Sequence, residues 1–193
     1  MSSSRINSIK KTVVLAMKDI KNIIESLLFV SEKPLLIDQI KNIITGAEIK
    51  DIQDSLSALL DEYESRKGGF HLCEVAGGYQ IRSRPEYSYW IKQLIKPASH
   101  RLSMAALETL TIIAYRGPVI RNEIEHIRGV DCGGIIRMLL EKKLVRIVGR
   151  KKIPGRPLLY ATTRQFLELF GLKDRKDLPT QKEIEEISAI KHK

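Results

Sequence analysis

The sequence predicts a mostly helical protein with small β-hairpins, built from two similar domains in tandem. The chain has 193 residues, of which 43% are hydrophobic and 29% charged, so it can bury two small cores. Residues 20–41 and 104–125 align without a gap, which indicates an internal repeat. In both copies, apolar residues at helical spacing are followed by strand-like alternation.

The first copy contains three helical patterns and one hairpin pattern. Pro34 ends the first helix and Gly46 ends the second, because proline cannot continue a helix and glycine adopts the left-handed conformation common at helix ends. Gly77-Gly78 separates two alternating runs, which predicts a tight turn between two strands. The apolar helix positions are Ile20, Ile23, Ile24, Leu27 and Leu28, then Leu36, Ile37, Ile40, Ile43 and Ile44, then Ile49, Ile52, Leu56, Leu59, Leu60 and Tyr63.

The second copy repeats this order. A turn at Gly117-Pro118 follows its first helix, and Gly129 ends its second. The gapless alignment pairs Pro34 with Pro118 and Phe29 with Ile113. Strands are predicted at 145–148 and 158–161, around a longer loop. The apolar helix positions are Met104, Leu107, Leu110, Ile113 and Ala114, then Ile124 and Ile127, then Ile135, Ile136, Leu139, Leu140 and Leu144.

Three helices followed by a two-stranded wing are typical of the winged variant of the helix-turn-helix motif. The sequence therefore predicts two tandem winged-helix domains, at residues 18–96 and 102–173. Residues 97–101 form a linker, because a proline and small polar residues interrupt both patterns there. We expect residues 1–17 to be a basic arm and residues 174–193 to be a charged, mobile tail.

The sequence lacks the motifs of common enzymes. Its four histidines have no partner at metal-ligand spacing, and it has neither a phosphate-binding GxxxxGK[ST] loop nor a GxSxG nucleophile elbow. We therefore predict a protein that is not an enzyme, with no catalytic, cofactor-binding or metal-binding residues. Function must then lie in its surfaces.

Composition also limits the compartment. Cys73 and Cys132 are far apart and belong to no CxxC motif, so a disulfide framework is excluded and a reducing cytosol is the expected setting. Charged residues interrupt every apolar stretch before it reaches the roughly 20 residues of a membrane helix. We expect a cytoplasmic protein with no membrane partner.

Positive charge is concentrated in the second copy. The whole chain carries a formal net charge of +10, and residues 99–193 hold 19 basic and 11 acidic side chains. The densest basic stretch runs from Lys142 to Arg156 and contains no acid. Such a stretch can lie along phosphates, although a solvated basic face is an equal alternative. The wing residues that we single out for DNA or partner contact are Arg146, Arg150, Lys151, Lys152 and Arg156.

Neither third helix is suited to reading bases. A sequence-specific reader presents polar side chains to base edges from this helix. In the second copy its middle is apolar, and only Arg137 stands out as a base reader. In the first copy it carries Asp51, Asp54, Asp61 and Glu62, which repel phosphate. Nonspecific DNA contact through the wing remains open.

The second half resembles a known family. The stretches LSMAALETLTIIAYRG (102–117), RNEIEHIRGV (121–130) and GRKKIPGRPLLYATTRQFLELFGL (149–172) closely resemble segregation and condensation protein B of bacteria and archaea. The resemblance covers about residues 18–180 and is strongest after residue 100. Two residues depart from the usual pattern: Gly117 stands where glutamine is more common, and Ile120 stands where threonine is usual.

The resemblance implies a tandem winged-helix protein that dimerises through its first domain. It implies binding to the kleisin segregation and condensation protein A (ScpA) through the second domain, and through the kleisin to an SMC ATPase at the nucleoid. In such a complex, which condenses and partitions chromosomes during cell division, the ATPase activity belongs to the SMC subunit. A winged-helix transcription regulator is the alternative function.

Aromatic residues near the end of the first domain suit a dimer interface. Tyr87, Tyr89 and Trp90 are bulky anchors of the kind that interfaces favour, although Trp90 could equally belong to the core. At residue 120, the departure from threonine removes an N-cap and leaves Glu123 with half of a capping box.

Overall fold

A computed structural model describes residues 17–95, 102–180, 182–184 and 186. Residues 1–16 of the predicted arm and the whole predicted linker lie outside this described part. The chain divides into two compact units. The first contains the described residues up to Cys73 together with Gly78–Ile91, and the second contains Glu74–Gly77 and the described chain from Lys92 onward.

The described chain up to Ile95 forms three helices, a β-hairpin and a further short helix. Periodic apolar residues bring α1, α2 and α3 onto one core, and Gly77, at φ +70°, provides the turn between the two strands. Lys67, in the left-handed region at φ 48°, ends α3. The bounds are α1 Met17–Val30, α2 Ile37–Ile43, α3 Ile49–Arg66, β1 Phe70–Val75, β2 Gly78–Ser83, a 3-10 turn at Pro85–Tyr87 and α4 Ser88–Ile95.

The second unit repeats this order with one added strand. Ser103 caps α5 by accepting the Ala106 N–H, and Gly129 ends α6 in the left-handed conformation. The antiparallel sheet has the order β3-β5-β4. The bounds are α5 Met104–Arg116, β3 Val119–Ile120, α6 Arg121–Arg128, α7 Gly133–Glu141, β4 Val145–Arg150, β5 Leu158–Thr162, α8 Arg164–Phe170 and a 3-10 turn at Arg175–Asp177.

A nearly buried arginine joins α5 to α6. The Arg128 guanidinium donates to the Ala105 carbonyl at 2.7 Å and pairs with Glu108 at 3.0 Å. It also donates to the hydroxyl of Thr109, which is fully buried. Since a buried charge is tolerated only when its donors are satisfied, these bonds fix the angle between the two helices.

The strand pairing supports the internal repeat. Leu35 forms two main-chain hydrogen bonds with Tyr79, both 2.9 Å long, in the first unit. Val119 pairs with Tyr160 in the second. The gapless alignment matches Leu35 with Val119, and both residues follow the aligned prolines. In each unit, the segment before the second helix therefore pairs with the last strand of the hairpin.

The gapless alignment is wrong for the first helix. Phe29 is 79% exposed, whereas its aligned partner Ile113 is fully buried. The buried stripe of α1 instead corresponds to a stripe of α5 that lies two residues further along. The buried residues are Ile20, Ile24 and Leu28 in α1 and Ala106, Leu110 and Ala114 in α5. The chain between the first and second helices is correspondingly longer in the first unit.

Residues 174–180 do not behave as the mobile tail that the sequence predicts. They contain a 3-10 turn, and Leu178 packs against the core of the second unit. The Arg175 side chain donates to the carbonyl of Gly117, and the Tyr115 hydroxyl donates to the Pro179 carbonyl. Residues 174–180 therefore pack as part of the second unit, because backbone acceptors and an apolar contact hold this segment in place.

The observed fold is mostly helical with small antiparallel sheets, as predicted from the sequence. The two units have separate cores in the described part of the chain. None of the helices in the described ranges has both the length and the apolar character that a membrane span requires.

Candidate functional site

Three aromatic side chains form an exposed cluster at the start of α4. Tyr87, Tyr89 and Trp90 are 44%, 65% and 65% exposed. The Trp90 ring lies 6.4 Å from the Tyr87 ring and 5.6 Å from the Tyr89 ring, between centroids. We call these three residues the aromatic patch. The alternative assignment of Trp90 to the core is wrong, because about two thirds of this residue is exposed.

The segment before α4 is held in place by Arg84. Its main-chain N–H donates to the Gly69 carbonyl at 3.0 Å, and its side chain donates to the Gly68 carbonyl at 3.0 Å. The guanidinium also pairs with Glu64 at 3.3 Å. Pro85 then begins the 3-10 turn that leads into the aromatic patch. The patch is therefore presented by a fixed turn.

The five predicted wing residues all lie on one hairpin of the second unit. We call residues 145–162 the basic wing. Arg146, Arg150, Lys152 and Arg156 are exposed, and Lys151 is half-buried. The structure thus brings these five cations together on β4 and the loop after it.

Two consecutive left-handed residues shape the tip of the basic wing. Gly155 has φ +79° and Arg156 has φ 40°, so both lie in the left-handed region. Glycine adopts this conformation without a steric cost, which suits it to position 155. The Arg156 N–H donates to the Ile153 carbonyl at 2.9 Å, and the Arg150 side chain donates to the Arg156 carbonyl at 3.0 Å. The wing loop is therefore closed by its own backbone acceptors.

Lys151 is not available as a simple phosphate contact. Its ammonium pairs with Glu123 of α6. Glu123 also accepts the Ile120 N–H at 3.2 Å, so it keeps the half of the capping box that does not need a threonine. The hydrogen bond from Lys151, with the one from Ile120, lowers the pKa of Glu123. The ion pair ties the basic wing to the start of α6.

The basic wing also exposes apolar side chains. Ile147, Val148 and Ile153 are 48%, 38% and 41% exposed. Phosphate contact gains nothing from such residues, whereas a protein partner can bury them. The mixture of cations and aliphatic groups favours a polypeptide partner for this surface.

The start of α7 is occupied by carboxylates of the chain itself. Asp131 accepts the Gly133 N–H at 3.1 Å, and Glu125 accepts the Cys132 N–H at 3.0 Å. Arg121 donates to Glu125 at 2.6 Å and also pairs with Asp131. The hydrogen bond to Glu125 raises the pKa of Arg121. Unpaired amides at a helix start can attract a phosphate, but these two already have carboxylate acceptors.

The outward face of α7 has little with which to read bases. Arg137 is exposed and is the one cation within this helix, while Ile136 and Leu139 face the core. In the first unit, the third helix exposes Asp54 and Asp61. That neither helix reads DNA stays a prediction.

The cysteines have no reactive character in this structure. Cys132 is fully buried, and burial raises the pKa of the Cys73 thiol. A raised pKa keeps the thiol protonated at neutral pH and so suppresses nucleophilic chemistry.

Sequence reasoning missed the carboxylates at the start of α7. A signal was present, because Asp131 stands two residues before Gly133 and Arg121 stands four residues before Glu125. These spacings indicate an Asx turn and a helical ion pair, but not that both meet at one helix end. That meeting depends on the angle between α6 and α7.

The Lys151 ion pair can be tested by titration. We expect Lys151→Gln to raise the pKa of Glu123 without restoring its usual value, because the Ile120 N–H still donates to it. Since the folded pKa of Glu123 is lowered, its contribution to stability is present above its unfolded pKa and is lost as pH falls through the folded pKa. Carboxyl-detected NMR titration measures this value. Lys152→Gln is the control and should leave it unchanged; an unaltered pKa in Lys151→Gln contradicts the pairing.

The chain matches known proteins over most of its length. The family model for segregation and condensation complex subunit ScpB matches residues 22–181. Segregation and condensation protein B of Syntrophotalea carbinolica is 48% identical over 170 residues, which cover 88% of this chain and 86% of that protein. The same protein of Moorella thermoacetica is 45% identical over 161 residues, covering 83% and 82%.

A solved structure is also similar. The crystal structure of ScpB from Mycobacterium tuberculosis shares 31% identity with this chain, covers 83% of this chain and 99% of its own, and superposes with a TM-score of 0.40. The family match and the identity to the two relatives suffice for the assignment. The chain belongs to the segregation and condensation protein B (ScpB) family.

Proposed function

We propose that this protein is a non-enzymatic subunit of a condensin-like complex, in which it homodimerises and binds the kleisin ScpA. Through ScpA it joins an SMC ATPase that condenses and partitions chromosomes, in the cytoplasm at the nucleoid. The observation that carries the proposal is the family match over residues 22–181. We assign the two binding tasks to the two exposed surfaces of the described chain.

We propose that each unit is a winged-helix domain. Three helices followed by a hairpin, with a bridge before the second helix, support this assignment in both units. The first domain spans residues 18–96, the linker spans 97–101, and the second begins at residue 102. The packed segment up to residue 180 favours a longer second domain than the residues 102–173 that the sequence predicts.

We propose the aromatic patch as the dimer interface. A large aromatic residue on the surface leaves apolar area in water, and that area is recovered when a second copy covers it. The adjacent acidic third helix does not favour nucleic acid as the covering partner. A second copy of the first domain therefore fits this surface best.

We propose the basic wing as a ScpA contact. Its cations suit an acidic segment, and its exposed Ile147, Val148 and Ile153 suit apolar side chains of the same segment. The blocked start of α7 supports a protein partner over DNA for this domain. Nonspecific DNA contact would use the same cations and would be displaced by ScpA.

The dimer proposal predicts the effect of Tyr89→Ala combined with Trp90→Ala. Size-exclusion chromatography with light scattering measures the molar mass. We expect twice 22.0 kDa for the wild-type chain and 22.0 kDa for the double variant. The reason is loss of the aromatic anchors. Phe29→Ala is the matched control, because Phe29 is an aromatic residue on another helix of the same unit and is even more exposed, at 79%. A dimeric double variant, or a monomeric Phe29→Ala, contradicts this interface.

The ScpA proposal predicts a stable complex between the full chain and ScpA. We expect Arg150→Glu combined with Lys152→Glu to weaken ScpA binding by about tenfold or more, since charge reversal adds repulsion to lost contacts. Isothermal titration calorimetry measures the affinity. Lys176→Glu is the control, because it is an exposed cation of the same unit outside the basic wing.

Two outcomes separate the parts of this proposal. Absence of any complex at micromolar concentrations contradicts the function itself. A complex of unchanged affinity in the Arg150→Glu, Lys152→Glu variant contradicts only the basic wing as the contact surface.

A further inference from the structure

A pocket of about 860 Å³ opens on the outer face of the sheet in the second unit, and every residue that lines it belongs to this unit. Successive residues of a strand point to opposite faces. Since Tyr160 is buried in the core, its neighbour Ala161 and the cross-strand partner Arg146 lie on the outer face. We call this cavity the arginine pocket, because Arg146, Arg164 and Arg175 all line it.

The start of α8 is held beside the sheet and places one of these arginines. The Thr163 hydroxyl accepts the Phe166 N–H at 3.2 Å and donates to the Lys143 carbonyl at 2.6 Å. Arg164 follows directly, and Glu168 pairs with it at 3.4 Å from the next turn of the helix. This pair lies at the surface and is weak, so the five N–H donors of the guanidinium can serve a second carboxylate as well.

Main-chain carbonyls orient Arg175. Its guanidinium donates to the Gly117 carbonyl and, at 3.4 Å, to the Tyr115 carbonyl. Both acceptors are neutral, so these bonds fix the guanidinium and leave its positive charge in place. Because a guanidinium has five N–H donors, others remain for a ligand in the pocket.

The charge of the arginine pocket is not neutralised by the part of the chain that the structure describes. No described aspartate or glutamate lines the pocket. Among the described residues, Arg146 and Arg175 form no ion pair with a carboxylate. Cations gathered in one cavity raise the local concentration of anions. The pocket therefore attracts a negatively charged group.

The same pocket has an apolar part. Pro118, Val148, Ala161 and Leu167 line it, and Val148 is 38% exposed. An inorganic anion would leave this apolar surface in water, whereas an apolar group beside the anion would cover it. The pocket therefore suits a ligand that carries negative charge and an apolar group side by side.

A polypeptide segment meets these two requirements better than nucleic acid. Phosphates of a duplex lie on the outside of a wide rod and bring no apolar group with them. An aspartate or glutamate side chain is small enough to enter a cavity, and a guanidinium binds its carboxylate through two parallel N–H···O bonds. An aliphatic or aromatic neighbour in the same segment would then pack on Val148 and Leu167.

We propose that the arginine pocket binds a segment of ScpA in which acidic residues adjoin an apolar residue. The carboxylates pair with Arg146, Arg164 and Arg175, and the apolar side chain packs on Val148 and Leu167. The identity of the polypeptide rests on the proposed function, whereas the chemistry of the segment rests on the pocket. The ScpA contact thereby extends from the basic wing, which shares Arg146 with the pocket, to α8 and the 3-10 turn after it.

Removal of charge tests the arginine pocket. We expect Arg146→Gln combined with Arg164→Gln to weaken ScpA binding about tenfold or more in isothermal titration calorimetry, because glutamine carries no charge to pair with a carboxylate. Arg137→Gln combined with Lys142→Gln is the matched control. It removes the same charge from exposed positions of the same unit that do not line the pocket, and should leave the affinity unchanged.

The outcomes separate the pocket from the proposed function. Absence of any complex with the wild-type chain contradicts the proposed function and overturns the pocket proposal with it. A wild-type complex whose affinity is unchanged in the Arg146→Gln, Arg164→Gln variant overturns the pocket alone. An equal loss of affinity in the control variant also overturns it, since net charge would then explain the effect.

Cross-linking identifies the bound segment. In a Cys73→Ser background, Val148→Cys labelled with benzophenone maleimide places a photoreactive group at the pocket, and Cys132 is fully buried and stays unlabelled. We expect mass spectrometry to find cross-links to one ScpA segment that holds at least two acidic residues and an apolar neighbour. Arg137→Cys with the same label is the control and should not reach this segment. Cross-links to a segment without acidic residues, or the same cross-links from both sites, overturn the proposal.

Nucleic acid is the competing occupant. Arg164→Gln alone tests it, because Arg164 lines the arginine pocket but lies outside the basic wing. We expect this variant to bind ScpA several-fold more weakly and to bind a short duplex of random sequence as the wild-type chain does, measured by fluorescence anisotropy. Loss of duplex binding with unchanged ScpA binding makes nucleic acid the occupant and overturns the proposal.

Discussion

Arg121 pairs with two carboxylates at the start of α7, and this arrangement limits what that helix end can attract. Glu125 and Asp131 accept the amides at the start of α7, and Arg121 bonds to both carboxylates. A helix start needs acceptors for its unpaired amides, and an external phosphate is one common solution. Here the chain supplies its own acceptors. The angle between α6 and α7 is thereby fixed, and the helix end that would face DNA carries negative charge.

The two units are small, and this leaves apolar side chains on their surfaces that a partner can cover. Each core uses apolar residues from one stripe per helix, so apolar residues outside those stripes stay in water. The aromatic patch and the aliphatic residues of the basic wing both arise in this way. Since small domains gain stability by burying such area against another polypeptide, these surfaces are the natural places for protein contacts.

The sequence predicts the order of elements well because periodicity reports burial directly. The helices, the hairpins and the basic wing follow from spacing and from the positions of glycine and proline. The match of Phe29 with Ile113 fails, because a gapless alignment can pair apolar residues that face opposite ways. The packing of residues 174–180 and the surface position of Trp90 depend on tertiary contacts, such as Tyr115 with Pro179, that no local pattern encodes.

DNA selectivity is the most direct test of the claim that these domains bind protein and do not read bases. Duplexes selected by the full chain from a random library would be compared with their scrambled versions by fluorescence anisotropy at near-physiological salt. We predict affinities within a few-fold of each other, because contact of the basic wing with phosphates does not depend on the base sequence. A selected sequence bound about 10³-fold more tightly than its scrambled version, as specific readers achieve, would contradict the claim.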